Sequence, residues 1–194
     1  MMKSEHALSR VKVNQTTIEL VQGDITQEST DTIVNAANAS LMGGGGVDGA
    51  IHRAAGPELL QETRQLGGCE TGNAKISKGY RLKARHVIHA VGPVYRRNDT
   101  SVPKLLASAY QRSLELASEN DLRSISFSAI STGIYGYPME EAAEIALDTI
   151  ISYAEAHEDI TLVRMVLFTE DALAIFREVL GQLASNRSAV EPAE

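Results

Sequence analysis

Short runs of apolar and β-branched residues alternate along the chain with longer segments in which apolar residues recur at helical spacing. Runs of the first kind are typical of buried strands, and segments of the second kind are typical of amphipathic helices. The pattern predicts strands at residues 16–21, 32–34, 87–91, 125–130 and 162–168, and a short edge strand at 74–77. It predicts helices at residues 47–55, 102–120, 139–156 and 171–183.

This alternation of strands and helices predicts an α/β fold with three layers, α/β/α, around a mixed, largely parallel sheet. The helix at 139–156 has the clearest pattern, because Pro138 stands at its start and one apolar stripe runs from Ala142 to Tyr153. We expect a single domain over residues 1–194 with its core at about 11–184. The first dozen and the last ten residues show no sustained period, and we expect them to be flexible tails.

Composition and charge exclude several classes of protein. A net charge of −7 and a pI near 5.3 argue against binding of long nucleic acid through a broad basic surface. No apolar run is long enough to span a membrane, and the start of the chain lacks the apolar core of a secretory signal. The single Cys69 excludes an internal disulfide, and with only five histidines a structural zinc site is not expected. We therefore expect a cytoplasmic protein without a membrane segment.

Four consecutive glycines, Gly43 to Gly46, stand between a strand and a helix. Free backbone amides at a helix N-terminus favour a bound anion, so Gly44, Gly45, Gly46 and Val47 are candidate phosphate ligands. The alternative is a flexible turn without a ligand. The segment lacks the lysine and hydroxyl residue of a nucleoside triphosphatase P-loop, which argues against ATP hydrolysis of that type.

Three polar residues around these glycines are candidates for chemistry. Asp48, in the first turn of the helix, would repel a phosphate, so it either stabilises the helix dipole or faces ligand hydroxyls or a water as acceptor or general base. Asn35 and Asn38 come straight off a predicted strand and could bind ribose hydroxyls, or could serve only the turn. His52, four residues after Asp48, either pairs with it or is a packing or surface residue.

A second loop, residues 130–138, again lies between a strand and a helix. Its hydroxyls and amides could bind a second face of the phosphates, and Tyr135 and Tyr137 could provide flat walls for a sugar or base. The alternative is a tyrosine-bearing turn that packs on its own scaffold. Two such loops at one crevice imply a diphosphate. Asp24, at the end of the first long strand, could accept from an exocyclic amine or could simply cap a turn.

Six ordered motifs carry a family resemblance: GDIT at 23–26, IVNAAN at 33–38, GGGGVDGAIHRAAG at 43–56, CETG at 69–72, HAVGP at 89–93 and STGIYGYP at 131–138. Together they resemble the macrodomain family, and within it the bacterial O-acetyl-ADP-ribose deacetylases, which group with the MacroD-type hydrolases. The resemblance covers roughly residues 16–180.

The resemblance implies a macrodomain that binds ADP-ribose at the carboxyl ends of the strands. It implies that Asp24 and Ile25 bind the adenine, that Phe168 lines the adenine side, and that Asn38 binds the distal ribose. The diphosphate would be bound by Gly44 to Val47 on one side and on the other by Ser131, Thr132, Gly133, Ile134 and Tyr135, with Tyr135 closing over the distal sugar.

The implied reaction is metal-free hydrolysis of an acyl ester of ADP-ribose, in which Asp48 orients or deprotonates a water and Asn38 places the ribose. O-acetyl-ADP-ribose would give ADP-ribose and acetate, and ADP-ribosylated acidic side chains of proteins would be further substrates. In a competing mechanism the ligand's own phosphate positions the water and Asp48 orients the ribose. The alternatives in other classes are a non-catalytic ADP-ribose reader and a phosphatase of ADP-ribose phosphate esters. No cofactor is implied.

Overall fold

The computed structural model describes residues 7–194, in which eight strands form one mixed sheet and five α-helices cover it. The first six residues of the expected N-terminal tail lie outside this range. The strands are β1 (Arg10–Val13), β2 (Thr16–Gln22), β3 (Thr32–Ala37), β4 (Ala74–Lys78), β5 (His86–Val91), β6 (Ser124–Phe127), β7 (Leu162–Leu167) and β8 (Val190–Pro192). The helices are α1 (Gly46–Ala55), α2 (Pro57–Gln65), α3 (Ser101–Glu119), α4 (Met139–Ala156) and α5 (Glu170–Ser185), and a 3₁₀ turn occupies Ile25–Gln27.

The strands lie in the order β4-β5-β3-β6-β7-β2-β1-β8. The five strands from β5 to β2 run parallel, whereas β4 at one edge and β1 and β8 at the other pair antiparallel. The central strands β3 and β5 are buried along almost their whole length because helices cover both faces of the sheet. This arrangement confirms the predicted mixed, largely parallel sheet.

The two faces of the sheet pack against different helices. Alternation along β3 points Ile33 to the side of α1 and α2 and Val34 to the side of α3 and α4, where separate apolar clusters form. The predicted three-layer α/β/α fold is therefore confirmed. No helix in residues 7–194 is long and apolar enough to cross a membrane.

Five elements differ by more than two residues from the sequence-based expectations. Strand β3 continues to Ala37, three residues beyond its predicted end, so Asn35 lies inside it. The segments expected to be flexible tails contain β1 and β8, which pair with each other, with Val11 and Val190 buried. Such short strands show too few residues for a period and are ordered by pairing at the sheet edge. Helix α2 was not predicted, although Pro57 at its first position is a common helix start. Strand β6 ends at Phe127, three residues before its predicted end.

Candidate active site

The carboxyl ends of the five parallel strands meet at one edge of the sheet, which is the usual ligand site of an open α/β sheet. The loop after β3 carries the glycine run, and the loop after the neighbouring β6 carries residues 128–138. Phe168 follows β7 and Asp24 follows β2. The fold thus brings the predicted site segments, which are far apart in the chain, to a single edge.

The glycine loop after β3 presents backbone amides to solvent. Gly45 is the N-cap of α1 and has no side chain, so within residues 7–194 no N-cap side chain bonds to the first N–H groups of the helix. Gly43 and Gly46 have φ angles of 86° and 56°, a left-handed conformation that favours glycine. Gly49 lets the helix approach the loop, because a β-carbon there would lie 2.7 Å from the carbonyl oxygen of Gly44. This geometry supports anion binding at the start of α1.

Asp48 and Asn38 converge on Gly44. A β-carbon built on Gly44 would lie 3.1 Å from Asp48 Oδ2 and 3.3 Å from Asn38 Nδ2, so both polar groups border the same small space. Asn38 also organises its own loop, donating to the Gly43 carbonyl oxygen (2.9 Å) and accepting from the Ser40 hydroxyl (2.6 Å). The two alternatives for Asn38, a turn residue and a residue facing the site, are therefore combined in one side chain.

The carboxylate of Asp48 is buried but well satisfied, with 5% of the residue exposed. Its Oδ1 accepts from Asn35 Nδ2 at 2.7 Å and lies 3.3 Å from His52 Nε2. Burial by itself raises the pKa of Asp48, but the hydrogen bonds from His52 and Asn35 together with the electrostatic effect of His52 and His89 outweigh burial, and the net pKa lies below its usual value. Asp48 is therefore ionised at neutral pH, and its second oxygen points toward Gly44.

Two sequence-based expectations change at this point. Asn35 was expected to bind substrate, but its side chain is fully buried and its amide bonds to Asp48, so it lies behind the carboxylate and outside the open crevice. The strand alternation explains this, since Asn35 shares the face of Ile33 that α1 covers. Of the two alternatives for His52, the structure shows the pair with Asp48, one helical turn apart.

The loop after β6 combines buried hydroxyl residues with free backbone N–H groups. Ser131 is buried with φ 67°, and Thr132 donates its hydroxyl to the Ala129 carbonyl oxygen at 2.8 Å. Within residues 7–194, the N–H groups of Gly133, Ile134 and Tyr135 donate to no protein atom, and Ile134 is 99% exposed. Three consecutive free N–H groups support anion binding by this loop, and the Thr132 hydroxyl is already engaged within it.

The two tyrosines of this loop differ in position. Tyr135 is half-buried, and its carbonyl oxygen accepts from the Tyr95 amide at 2.9 Å. Of the two alternatives for Tyr137, the structure shows packing on the scaffold: it is 3% exposed and its ring packs against Tyr95, with the centroids 5.0 Å apart. Tyr137 therefore belongs to the core, because it lies where the loop returns to the sheet before α4.

The residues expected at the adenine side lie in the loops after β2 and β7. Asp24 is exposed and caps the 3₁₀ turn, accepting at Oδ1 from the Thr26 amide (2.9 Å) and hydroxyl (2.7 Å). The side chain of Ile25 is buried in the core beneath α1, so only its backbone is open to a ligand. Phe168 is 82% exposed beside the end of β2, where Gly23 donates to the Leu167 carbonyl oxygen.

Three contributions to the site were not assigned from the sequence. His89 on β5 and Ser77 on β4 lie behind Asn35, and the segment from Gly92 to Tyr95 supports the loop after β6. A histidine within the apolar run HVIHAV is the one signal that pointed to a buried polar partner. Within the described part of the chain, no group of three or more His, Cys, Asp or Glu side chains is placed to bind a metal ion.

Comparison with known proteins agrees with this geometry. The family model described as Macro domain matches residues 34–146, which include the glycine loop and the loop after β6. The chain belongs to the macrodomain family. The resemblance seen in the motifs is thereby confirmed.

Other macrodomain proteins are similar over most of this chain. An O-acetyl-ADP-ribose deacetylase of Cronobacter sakazakii is 50% identical over 169 residues, 85% of this chain and 94% of that protein. ADP-ribose glycohydrolase MACROD2 of Xenopus laevis is 54% identical over 167 residues, 85% of this macrodomain chain but 40% of that longer protein. A solved Oceanobacillus iheyensis macrodomain with ADP superposes with a TM-score of 0.89 at 46% identity, covering 92% of this chain and 97% of that one.

Proposed function

We propose that this macrodomain binds ADP-ribose along the carboxyl edge of its sheet. The order of loops across the edge supports this orientation: Asp24 and Phe168 at β2 and β7, amides at β6 and β3, and Asp48 beside β3. Three strand spacings, about 14 Å, separate β2 from β3, which matches an extended ligand with a base at one end and a sugar at the other. The adenine would lie at β2 and β7, the diphosphate between the two amide loops, and the distal ribose beside Asn38.

The reaction we propose is hydrolysis of an acyl ester on the distal ribose. The observation that carries it is the convergence of an ionised, buried carboxylate and an amide on Gly44, at the mouth of the amide-lined loop. With Oδ1 occupied by Asn35 and His52, Oδ2 of Asp48 is directed to accept from the attacking water, while Asn38 holds the ribose. The water gives a proton to Asp48 as it attacks the acyl carbonyl, and the bond between the acyl carbon and the ribose oxygen then breaks. The ribose oxygen takes up the proton from Asp48, so O-acetyl-ADP-ribose and water give ADP-ribose and acetic acid, which ionises to acetate.

ADP-ribosylated acidic side chains of proteins are the second substrate class of this proposal. Their link to the distal ribose is also a carboxylate ester, so the same water and carboxylate serve both reactions. Phosphate esters of ADP-ribose offer no acyl carbonyl, and we expect acetate release to exceed phosphate release.

The test pairs a calorimetric titration with ADP-ribose and an assay of acetate release from O-acetyl-ADP-ribose, with Asp48→Asn beside the wild type. The variant keeps the shape of the side chain but loses its charge. We expect turnover to fall at least ~100-fold, the usual scale of a lost acid–base contribution. ADP-ribose affinity should be unchanged or higher, because a negative charge near the phosphates is removed.

The control is Glu191→Gln on β8, an exposed acid at the far edge of the sheet, which should change neither quantity. Near-native turnover in Asp48→Asn would contradict the assigned role. Binding without turnover in the wild type would make the protein a reader of ADP-ribose. Phosphate release in place of acetate release would make it a phosphatase.

A further inference from the structure

A row of buried polar side chains runs behind Asp48 across three neighbouring strands. Asn35 on β3 donates to Asp48 Oδ1 at 2.7 Å, and its nitrogen also lies 3.2 Å from His89 Nδ1 on β5. His89 Nε2 in turn lies 2.8 Å from the hydroxyl oxygen of Ser77 on β4. The register places Asn35 opposite His89 and Ser77 opposite Val87, so the three side chains share one face of the sheet, the face that α1 covers.

The direction of each hydrogen bond in this row follows from its neighbour. An ionised carboxylate only accepts, so the Asn35 amide presents its nitrogen to Asp48. The second hydrogen of that nitrogen is directed at His89 Nδ1, which must then be the unprotonated ring nitrogen. The proton of a neutral His89 is therefore on Nε2 and is donated to Ser77, whose hydroxyl can donate onward to the Lys78 carbonyl oxygen at 3.1 Å.

Burial of the row keeps His89 in its neutral form. The exposed fractions are 0% for Asn35, 1% for His89 and 4% for Ser77. Removal from water disfavours the charged imidazolium, and nearby His52 disfavours it further, so the pKa of His89 falls to about 4. His89 is therefore neutral at physiological pH and keeps a lone pair toward Asn35.

We propose that His89 and Ser77 are positioning residues of the hydrolytic site, which together fix the Asn35 amide so that it donates to Asp48 Oδ1 and leaves Oδ2 for the reacting groups. The inference rests on the proposed function. Neither residue touches the crevice. They act through Asn35, whose side chain has only Asp48 and His89 as hydrogen-bond partners in the described residues.

The orientation of the Asn35 amide affects the pKa of Asp48, because few groups bond to this carboxylate. Helix α1 contributes His52 and strand β5 contributes His89, while β3 and the glycine loop contribute the uncharged side chains Asn35 and Asn38. Of the four, only His52 and Asn35 bond to the carboxylate. If Asn35 turned, the carboxylate would lose one of its two donors and its affinity for a proton would rise.

The test compares wild type with three variants: His89→Leu, which removes both ring contacts; His89→Asn, whose Oδ1 can stand in for the Nδ1 acceptor; and Ser77→Ala, which removes only the far contact. The first readout is the pKa of Asp48 from the side-chain ¹³C carboxyl resonance, assigned by its loss in Asp48→Asn. The second is the acid limb of the pH profile of kcat/KM for acetate release. The third is the ¹⁵N spectrum of the His89 ring.

In His89→Leu we expect the pKa of Asp48 and the acid limb of kcat/KM to move up together by about one unit, since a hydrogen bond to a charged group is weakened. We expect kcat to fall about tenfold through misplacement of the carboxylate, with ADP-ribose affinity within about threefold of wild type. His89→Asn should restore most of both quantities. Ser77→Ala should shift them in the same direction as His89→Leu but by less. The ¹⁵N spectrum should show a protonated Nε2.

Several results would overturn the proposal. An unshifted Asp48 in His89→Leu, with only a lower melting temperature, would make the row purely structural, as would equal behaviour of His89→Asn and His89→Leu. A proton on Nδ1 of His89 would reverse the hydrogen bonds and remove its basis. The ¹³C titration needs no turnover: if the wild type released no acetate but the variants still shifted Asp48, the proposed function would fail and the positioning of Asp48 by His89 and Ser77 would stand.

Discussion

Gly44 links the shape of the loop to the chemistry proposed for it. The absence of a side chain at this residue lets Asp48 Oδ2 and Asn38 Nδ2 approach the same point from two directions. Gly45, its neighbour, faces open space, since no atom lies within 4 Å of a β-carbon built there. The two adjacent glycines therefore have different roles, one beside the reacting groups and one in the amide-lined turn.

Gly44→Ala should lower kcat for acetate release about tenfold, because its methyl group pushes the carboxylate and the amide a few tenths of an ångström out of place. Gly45→Ala is the matched control: its N-cap backbone is extended, and its effect should fall on KM and leave kcat within about twofold. Steady-state kinetics with folded protein verified by circular dichroism would check both. Equal kcat in the two variants would refute the role of Gly44.

At the residue scale, the sequence indicated Asp48 as a candidate for chemistry, but it did not indicate the buried side chains that bond behind it. An acid in the first turn after a glycine run is conspicuous because it conflicts with phosphate binding. Asn35 gave no sign that its side chain turns inward, and His89 lies 54 residues away along the chain. Hydrogen bonds between strands depend on register, and register is a property of the assembled sheet.

At the scale of elements, the loop after β6 is held by the segment after β5. The two segments meet over the end of β3, which lies between their strands. Gly92 makes the contact possible, because a β-carbon there would lie 2.2 Å from Ser131 Oγ and 2.4 Å from Ile130 Cγ2. The amide of Tyr95 adds a hydrogen bond to the Tyr135 carbonyl oxygen. The position of the loop after β6 therefore depends on packing against the segment after β5.

Gly92→Ala should destabilise the protein by about 1–3 kcal/mol, the usual cost of overpacking, and should weaken ADP-ribose binding because residues 130–135 are displaced. Chemical denaturation and calorimetric titration would measure the two effects. Gly133→Ala adds a methyl group in the same loop without any atom within 4 Å, so its stability should match wild type. Native stability and native ADP-ribose affinity in Gly92→Ala would show that the segment after β5 does not hold the loop after β6 in place.

Elements with their own period were predicted well, and those ordered by a neighbour were not. Helix α4 spans Met139–Ala156, the range that its apolar stripe predicts. Strands β1 and β8 were assigned to tails, because three or four residues carry no usable period and their order comes from pairing with each other and with β2. Helix α2 has a polar sequence, PELLQETRQ, and is ordered by burying Leu59 against α1 and the sheet.

For the whole molecule, the buried His89 couples folding to pH. The pKa of this imidazole is about 4 in the folded protein and about 6.5 in the unfolded chain, so the unfolded state takes up the proton first as pH falls. Stability from His89 is thus present above pH 6.5 and is lost as the pH falls toward 4. From pH 7 to pH 5 the free energy of unfolding should drop by about 2 kcal/mol from this residue.

Urea unfolding of wild type and His89→Asn at pH 7 and pH 5 would measure the contribution of His89 to the pH dependence of the free energy of unfolding, since asparagine does not titrate. The drop should be about 2 kcal/mol larger in the wild type. An equal pH dependence in both proteins would show that His89 is not held neutral by the fold.

Local pattern was enough to establish the class of this protein: alternating strands and helices, two glycine loops after strands, and ordered macrodomain motifs all lie within short stretches of chain. Periodicity and turn chemistry act over a few residues, so one sequence displays them directly. The row of Asp48, Asn35, His89 and Ser77 depends on strand order and register. The convergence of Asp48 and Asn38 on Gly44 depends on the packing of α1 against the loop after β3. These contacts join residues distant in sequence, and only packing of the complete sheet and its helices brings them together.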